Sequence, residues 1–477
     1  MHSDVLIVGA GSAGSVLAER LSADPARRVT VVEAGPGPSD PQVLIQIEDG
    51  LRLPIGAASS VVRRYPTTLT TSPQRHAQLM RGAVVGGSGA VNGGYFCRGL
   101  PGDFDDWGLA GWTWEEVLGH FQAIETDLDF DTPIHGSSGP ISVRRVAEFQ
   151  GCTAAFVDAA IQAGHTWLPD LNASTADSPL PAGVGAVPLN IEKGTRVGPG
   201  GAFLQPAMSR ANLTVLTSHQ AGRIRIDRGR ATGVDCVGPN GAVELSADRI
   251  VLCAGAIGSA HLLMLSGVGP ETVLRTAGIP VQAALPVGVA TADHPEWVLP
   301  VNWSPSRGAL PLEAVLTTAD GLEIRPYTTG FGAMVSGRRS DPADRPHIGV
   351  TLMRPRSRGR ITVRSADPKV APIIEHRYDS EPDDVAQLQA GTDLARELVR
   401  ATTDLGPVSW STSQHLCGTA PMGPDDDDAA VVDARCRVRG IDGLWVVDGS
   451  VLPKITSRGP HATIVMLGHR AAEFVAG

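Results

Sequence analysis

Two histidines near the C-terminus carry the clearest chemistry in this chain: His415 in HLCGTAPMG and His461 in RGPHATIVMLG. Imidazole titrates near neutrality, so it can take a proton from a hydroxyl group and hold it. Among thirteen histidines these two stand out by setting. His415 precedes an expected Gly418-Thr419 turn, and His461 follows Pro460 at an expected helix start. At the other end of the chain runs Gly9-Ala10-Gly11-Ser12-Ala13-Gly14, with Glu33-Ala34 some twenty residues on. A second Gly-rich turn occupies residues 81–92, RGAVVGGSGAVN. A dinucleotide turn at one end and proton-handling groups at the other point to a flavoenzyme that oxidises an alcohol. A base would take the hydroxyl proton, the flavin would take hydride, and a helix N-terminus near Pro460 would stabilise the charge of the reduced flavin.

The elements that must position these groups are legible in the pattern. Residues 4–8 (DVLIV) read as a buried parallel strand, 13–21 as a helix and 29–32 as the next strand, ending at Glu33. That is a βαβ unit in about 30 residues, the context a dinucleotide turn requires. In it Gly9 allows the turn, Gly11 lets backbone approach pyrophosphate, and Gly14 lets helix pack on strand. Glu33 is expected to accept from the ribose hydroxyls. A second strand-turn-helix follows at 249–265. A third comprises a strand at 444–447, the Asp448-Gly449-Ser450 turn and a helix over about 461–475. Residues 359–363 read as a strand and 383–400 as an amphipathic helix. The expected fold class is α/β (α+β overall): a Rossmann-like FAD-binding domain assembled from 1–150, 205–290 and 412–477, and a β-sheet substrate domain from 151–204 and 291–411.

Bulk properties narrow the classes. The chain has 477 residues, 42% hydrophobic and 19% charged, with net charge −10. The acidic balance carries no nucleic-acid footprint. No apolar run reaches the roughly 18 residues of a membrane span. The six cysteines lack metal or redox spacing, so no metal is expected and they read as small buried hydrophobes. The first strand begins almost at Met1, leaving no room for a signal peptide. The expected location is cytoplasmic, with a peripheral membrane position as the alternative. The Asp425–Asp428 run reads as a solvated loop.

Several ordered motifs then resemble one family. RGAVVGGSGAVNG (81–93), GAIGSAHLLMLSGVG (255–269), HLCGTAPMG, VVDARCRVRGIDGLWVVDGSVLP and PHATIVMLG are similar to those of the glucose–methanol–choline (GMC) flavin oxidoreductases over nearly the whole chain. Ala260 departs from the usual Pro or Ser, and the region after His294 is short. The resemblance implies FAD held by Gly9, Gly11, Ser12, Ala13, Gly14, Glu33, Ala34, Val85, Gly86, Gly87, Asn92, Gly93, Ala221, Asp448, Gly449 and Ala462. It also implies a catalytic pair, with His415 as base and His461 as its hydrogen-bonding partner. Val91 stands where some members bear an attachment histidine, so FAD is expected to be non-covalent. His461 as a structural helix-start residue stays open, and Asp293-His294 is read as structural.

The segments GPGPSDPQV…GLRLPIGAASSVVRRY and GGYFCRGLPGDFDDW, with the short length, resemble a narrower branch, the mycofactocin-associated dehydrogenases. That implies reduced mycofactocin as the alcohol substrate and a quinone or other respiratory component as electron acceptor. The alternatives are a GMC alcohol oxidase, a choline-dehydrogenase-like enzyme acting on another small alcohol, and a flavin-binding partner protein without turnover. A nicotinamide dehydrogenase would leave the C-terminal motifs unexplained.

Overall fold

Val5, Leu6, Ile7 and Val8 are each at most 3% exposed. Such an unbroken apolar run marks a strand covered on both faces. In the computed structural model, which describes residues 2–174, 182–306, 308–336, 344–399 and 406–477, that strand, His2–Val8, lies inside a seven-stranded sheet. Val29–Val32 pairs with it in parallel on one side and Gly241–Leu252 on the other. Leu213–Leu216 extends the sheet beyond Val29–Val32. The far side of Gly241–Leu252 is shared. Its first half pairs antiparallel with Arg230–Gly238, and its last three residues pair in parallel with Leu444–Val446. All three expected strand-turn-helix pieces therefore enter one sheet.

The turn after His2–Val8 is tightly built. Gly9 has φ +106°, and a Cβ there would lie 2.4 Å from the Cys253 carbonyl oxygen. A Cβ on Gly14 would lie 2.0 Å from the Gly9 carbonyl oxygen. Glycine at both positions lets the helix Ser12–Ser22 start directly off the strand. Its first turn has no side-chain cap, which leaves backbone N–H groups free. The C-terminal helix His461–Ala476 packs across it, close enough that a Cβ on Gly468 would meet Ala13 Cα at 2.8 Å.

A second seven-stranded sheet runs Ser409–Thr412, Pro295–Pro300, His347–Leu352, Leu322–Pro326, Ala314–Thr317, Gly183–Ala186 and Trp167–Leu168. Its side chains alternate as a pleated sheet requires. Leu299, Ile324, Ile348 and Val350 point into a core with Phe156 of the helix Gly151–Gln162 and Leu388 of the helix Pro382–Val399. Glu296, Val298, Pro300 and Arg325 face the opposite way, into a cavity. The expected 383–400 helix is thus present; Arg400 lies outside the described residues.

A third sheet was not expected as a unit. Val62–Thr71 and Gln74–Gly82 form a hairpin, to which Ile373–Glu375 and then Arg360–Thr362 add. The expected 359–363 strand is here, and the hairpin leads straight into the second Gly-rich turn. Among the described residues no helix is long and apolar enough to cross a membrane. All six cysteines are buried and free.

Gly14→Ala should be poorly tolerated. Its methyl meets backbone, which cannot swing aside, so the cost should reach or exceed the ~3 kcal/mol upper end of ordinary overpacking. The expected outcome is a lower thermal midpoint and a lower flavin-to-protein absorbance ratio. A variant matching wild type in both would contradict this packing.

Candidate active site

Both Gly-rich turns and both sheets border one cavity of about 840 Å³, within the range of cofactor and ligand sites. Gly9, Gly11, Ser12, Ala13, Glu33, Ala34, Asn92, Gly93, Ala221, Asp448, Gly449, His415 and His461 all line it. Gly14, Val85, Gly86, Gly87 and Ala462 do not; they form the layer behind. Gly86 N–H donates to the Ala10 carbonyl at 2.7 Å. A Cβ on Gly87 would sit 2.7 Å from Gly11 Cα, so the two turns touch.

The carboxylate of Glu33 is buried and braces the first turn. Its Oε2 accepts from Ala10 N at 2.9 Å and its Oε1 from Gly35 N at 2.8 Å. Burial pushes its pKa up, against these hydrogen bonds. Each oxygen keeps acceptor capacity toward the cavity. Asp448 ties the distant pieces together. One oxygen accepts from Gly255 N at 2.8 Å and Ser259 Oγ at 2.6 Å, and the other from Ser450 N at 2.8 Å and the Ser450 hydroxyl. Two uncapped helix N-termini, at Ser12 and His461, border the same space. Such ends suit a pyrophosphate and an electron-rich ring.

The two histidines lie on this cavity, but they are not hydrogen-bonded to each other, contrary to the expected partnership. His461 Nδ1 is 3.1 Å from Asn92 Nδ2. Asn92 Oδ1 accepts from Gly94 N, which turns the amide nitrogen toward the ring. His461 must then accept at Nδ1 and carry its proton on Nε2. That Nε2 is buried without a partner and faces Gly89. Burial and the nearby Arg196 push the His461 pKa down to about 4. His415 pairs instead with His294, at 2.8 Å between their Nδ1 atoms. Burial holds its pKa well below the usual value, with the neighbouring His294, Arg325, Arg81 and His461 acting the same way. Both imidazoles are therefore neutral near pH 7, the state a base requires.

The sequence analysis missed the groups that place His415. Asp293 Oδ1 accepts from the backbone N–H of both His294 and His415, each at 2.8 Å, and its Oδ2 accepts from Thr412 Oγ1. Gln414 has φ +65°, a costly conformation for a non-glycine residue. It is anchored across the cavity wall, where its Oε1 accepts from Met80 N at 2.9 Å and from Arg81 Nη1 at 3.0 Å. The substrate-side wall holds a balanced charge cluster. Glu323 bonds Arg325, Arg458 and Tyr95, and Glu296 bonds Ser413 and Tyr327 with Arg325 at 3.6 Å. ADHPE, residues 292–296, was the available signal: three ionisable groups at the entry to a buried strand.

A separate buried cluster joins Glu125, Asp127, His135 and Asp170. Arg98 and Arg145 neutralise its carboxylates, and it reads as a structural ion-pair network.

Family models for GMC oxidoreductases match residues 3–296 and 355–468. The chain belongs to the GMC oxidoreductases. It is 39% identical to an uncharacterized GMC-type oxidoreductase of the thcA 5′ region of Rhodococcus erythropolis, across 100% of this chain and 99% of that one. It is 31% identical to an oxygen-dependent choline dehydrogenase of Rhizobium etli, across 100% and 96%. Among solved structures, pyridoxine 4-oxidase from Mesorbium loti superposes with TM-score 0.88 at 29% identity, covering 99% and 98%. Formate oxidase superposes with TM-score 0.85 at 24% identity, which speaks to fold alone. The protein is thus an FAD-dependent oxidoreductase acting on CH–OH donors. The contacting glycines and the uncapped helix ends fit that cofactor.

Glu33→Ala should weaken FAD binding in protein that still folds. Loss of a charged hydrogen bond to ribose is worth about 1.5–3 kcal/mol, roughly tenfold or more in Kd. Fluorescence titration of apoprotein with FAD measures it. Unchanged affinity in the folded variant would remove Glu33 from the cofactor site.

Proposed function

We propose that this enzyme oxidises an alcohol to a carbonyl with His415 as the base for the hydroxyl proton. The observation that carries the reading is that His415 borders the cavity with an Nε2 that no group among the described residues hydrogen-bonds, while Asp293 and His294 fix the rest of the residue. Bound FAD supplies the hydride acceptor. Gly9, Gly11, Ser12, Ala13, Glu33 and Ala34 would hold its dinucleotide half. Gly86, Gly87, Asn92 and Gly93 would pass its ring, with Gly14, Val85, Ala221, Asp448, Gly449 and Ala462 in support. Val91 lines the cavity and offers no atom for a covalent link, in keeping with non-covalent FAD. His461 borders the same site, with its ring held by Asn92. The division into an FAD domain (1–150, 205–290, 412–477) and a substrate domain (151–204, 291–411) belongs to the same proposal.

For the substrate we propose reduced mycofactocin, with electrons passing to a quinone or another respiratory acceptor. This rests on the motif resemblance of residues 35–65 and 93–107. A small-alcohol oxidase is the second reading, favoured by the likeness to pyridoxine 4-oxidase over 99% of the chain. The cavity argues against a cationic alcohol such as choline: the Glu296 carboxylate is already shared with Arg325, Ser413 and Tyr327. Anaerobic mixing with reduced mycofactocin, pyridoxine and choline, followed by admission of air, separates these readings. Rapid bleaching by reduced mycofactocin with slow reoxidation in air is the expected result. Fast reoxidation with stoichiometric peroxide would make the enzyme an oxidase.

His415→Ala should keep its flavin spectrum and slow alcohol-dependent flavin reduction by about 10²–10⁴-fold, the usual worth of a positioned base. The pH profile follows from the sign of the shift. A base whose pKa is lowered is already unprotonated at neutrality. The wild-type rate should therefore be flat from about pH 6.5 upward and fall only on the acid side. Stopped-flow reduction under argon reads both. An FAD-loaded His415→Ala enzyme reducing at the wild-type rate would sink this mechanism.

A further inference from the structure

We infer that His294 is a positioning residue that fixes the tautomer of His415, so that the lone pair of the base lies on Nε2 and faces the substrate. The inference rests on the reading of His415 as the base. It starts from Thr456, whose carbonyl oxygen lies 3.0 Å from His294 Nε2. A carbonyl can only accept, so His294 carries hydrogen on Nε2. His294 is fully buried, and burial lowers its pKa to about 4 despite the adjacent Asp293 carboxylate. The ring is neutral near pH 7, and its Nδ1 bears a lone pair.

That lone pair meets His415 Nδ1 at 2.8 Å, with the rings nearly perpendicular at 88°. Two lone pairs cannot face each other at that distance, so His415 must donate from Nδ1. Its proton is thereby committed, and its Nε2 is left unprotonated. Asp293 holds the two backbones in register through both N–H groups. Arg325, Arg81, Glu323 and His461 are the other charged or titratable groups felt by the two rings, and none of them hydrogen-bonds either one. The Thr456 carbonyl alone therefore decides the pattern.

The device differs from a histidine–carboxylate pair. A carboxylate behind Nδ1 would raise the basicity of His415 and keep part of it protonated at neutral pH. A neutral imidazole fixes the tautomer with no added charge. When the substrate O–H proton moves to Nε2, the Nδ1–H···Nδ1 bond becomes charge-assisted and strengthens. His294 cannot pass the proton on, because its other nitrogen already donates to Thr456. The proton stays on His415 until product leaves.

The direct test is histidine ¹⁵N NMR of the FAD-loaded enzyme at neutral pH, with His415 assigned by comparison with His415→Gln. The expected spectrum shows His415 protonated on Nδ1 and bare on Nε2. Protonation on Nε2 would overturn the inference, and this measurement needs no variant at position 294. His294→Leu removes the acceptor and should slow flavin reduction by about 10–100-fold, the usual range for losing an orienting partner, with KM unchanged. His294→Gln can donate to Thr456 and accept from His415, and should recover most of the rate. A flavin-loaded His294→Leu enzyme at the wild-type rate would also overturn the inference. The two readings fail separately. Wild-type reduction by His415→Ala would end the base assignment whatever the tautomer, whereas an Nε2–H signal together with slowed reduction by His415→Ala would end the role given to His294 and leave His415 as a base acting through its minor tautomer.

Discussion

The site depends on a buried carboxylate that, among the described residues, no arginine or lysine bonds directly. Asp293 is 4% exposed and spends its acceptor capacity on hydrogen bonds rather than on a salt bridge: two backbone N–H groups and the Thr412 hydroxyl. His376 Nδ1 lies 3.5 Å away. A carboxylate in that setting is costly unless each contact is well made. The same bonds that make it tolerable pin the chain at His294 and at His415, more than a hundred residues apart. The left-handed backbone at Gln414 is held by the same region, through Met80 and Arg81. Strain beside a functional residue persists only where its surroundings over-determine it.

A second constraint joins the chain ends. The turn at Gly9 sits against Cys253, Gly86 donates to Ala10, and Asp448 gathers the starts of two later elements. None of these contacts is large, but each is between backbone atoms or short side chains that cannot move far. The cofactor end is consequently rigid by close packing, and the substrate end is shaped by a sheet whose alternate residues supply charge. The two meet at the strand Ser409–Thr412 and the loop that follows it.

How much of this could be read from sequence varies with the range of the interaction. The βαβ unit was legible because its signals are local: an unbroken apolar run, glycines at fixed spacing and an acidic residue closing the strand. Val29–Val32 was placed to the residue for that reason. The hairpin Val62–Gly82 was not, since VRRYPTTLTT carries arginines and a proline, and its far edge is completed by the distant strand Ile373–Glu375. His415 and His461 were found by motif, and both reach the cavity. Their partners were not found, because the pairing of His294 with His415 is fixed by three-dimensional packing across 121 positions. Asp293-His294 looked structural, and the structure sets both against His415.

The most direct test of the account is a crystal structure of the enzyme with FAD bound. The account requires the pyrophosphate at the N-terminus of Ser12–Ser22 and the isoalloxazine ring between the Gly86–Gly93 turn and His415, with His415 Nε2 facing the ring's reactive side. An isoalloxazine lying away from His415, or a pyrophosphate bound elsewhere than at Gly9–Gly14, would contradict it.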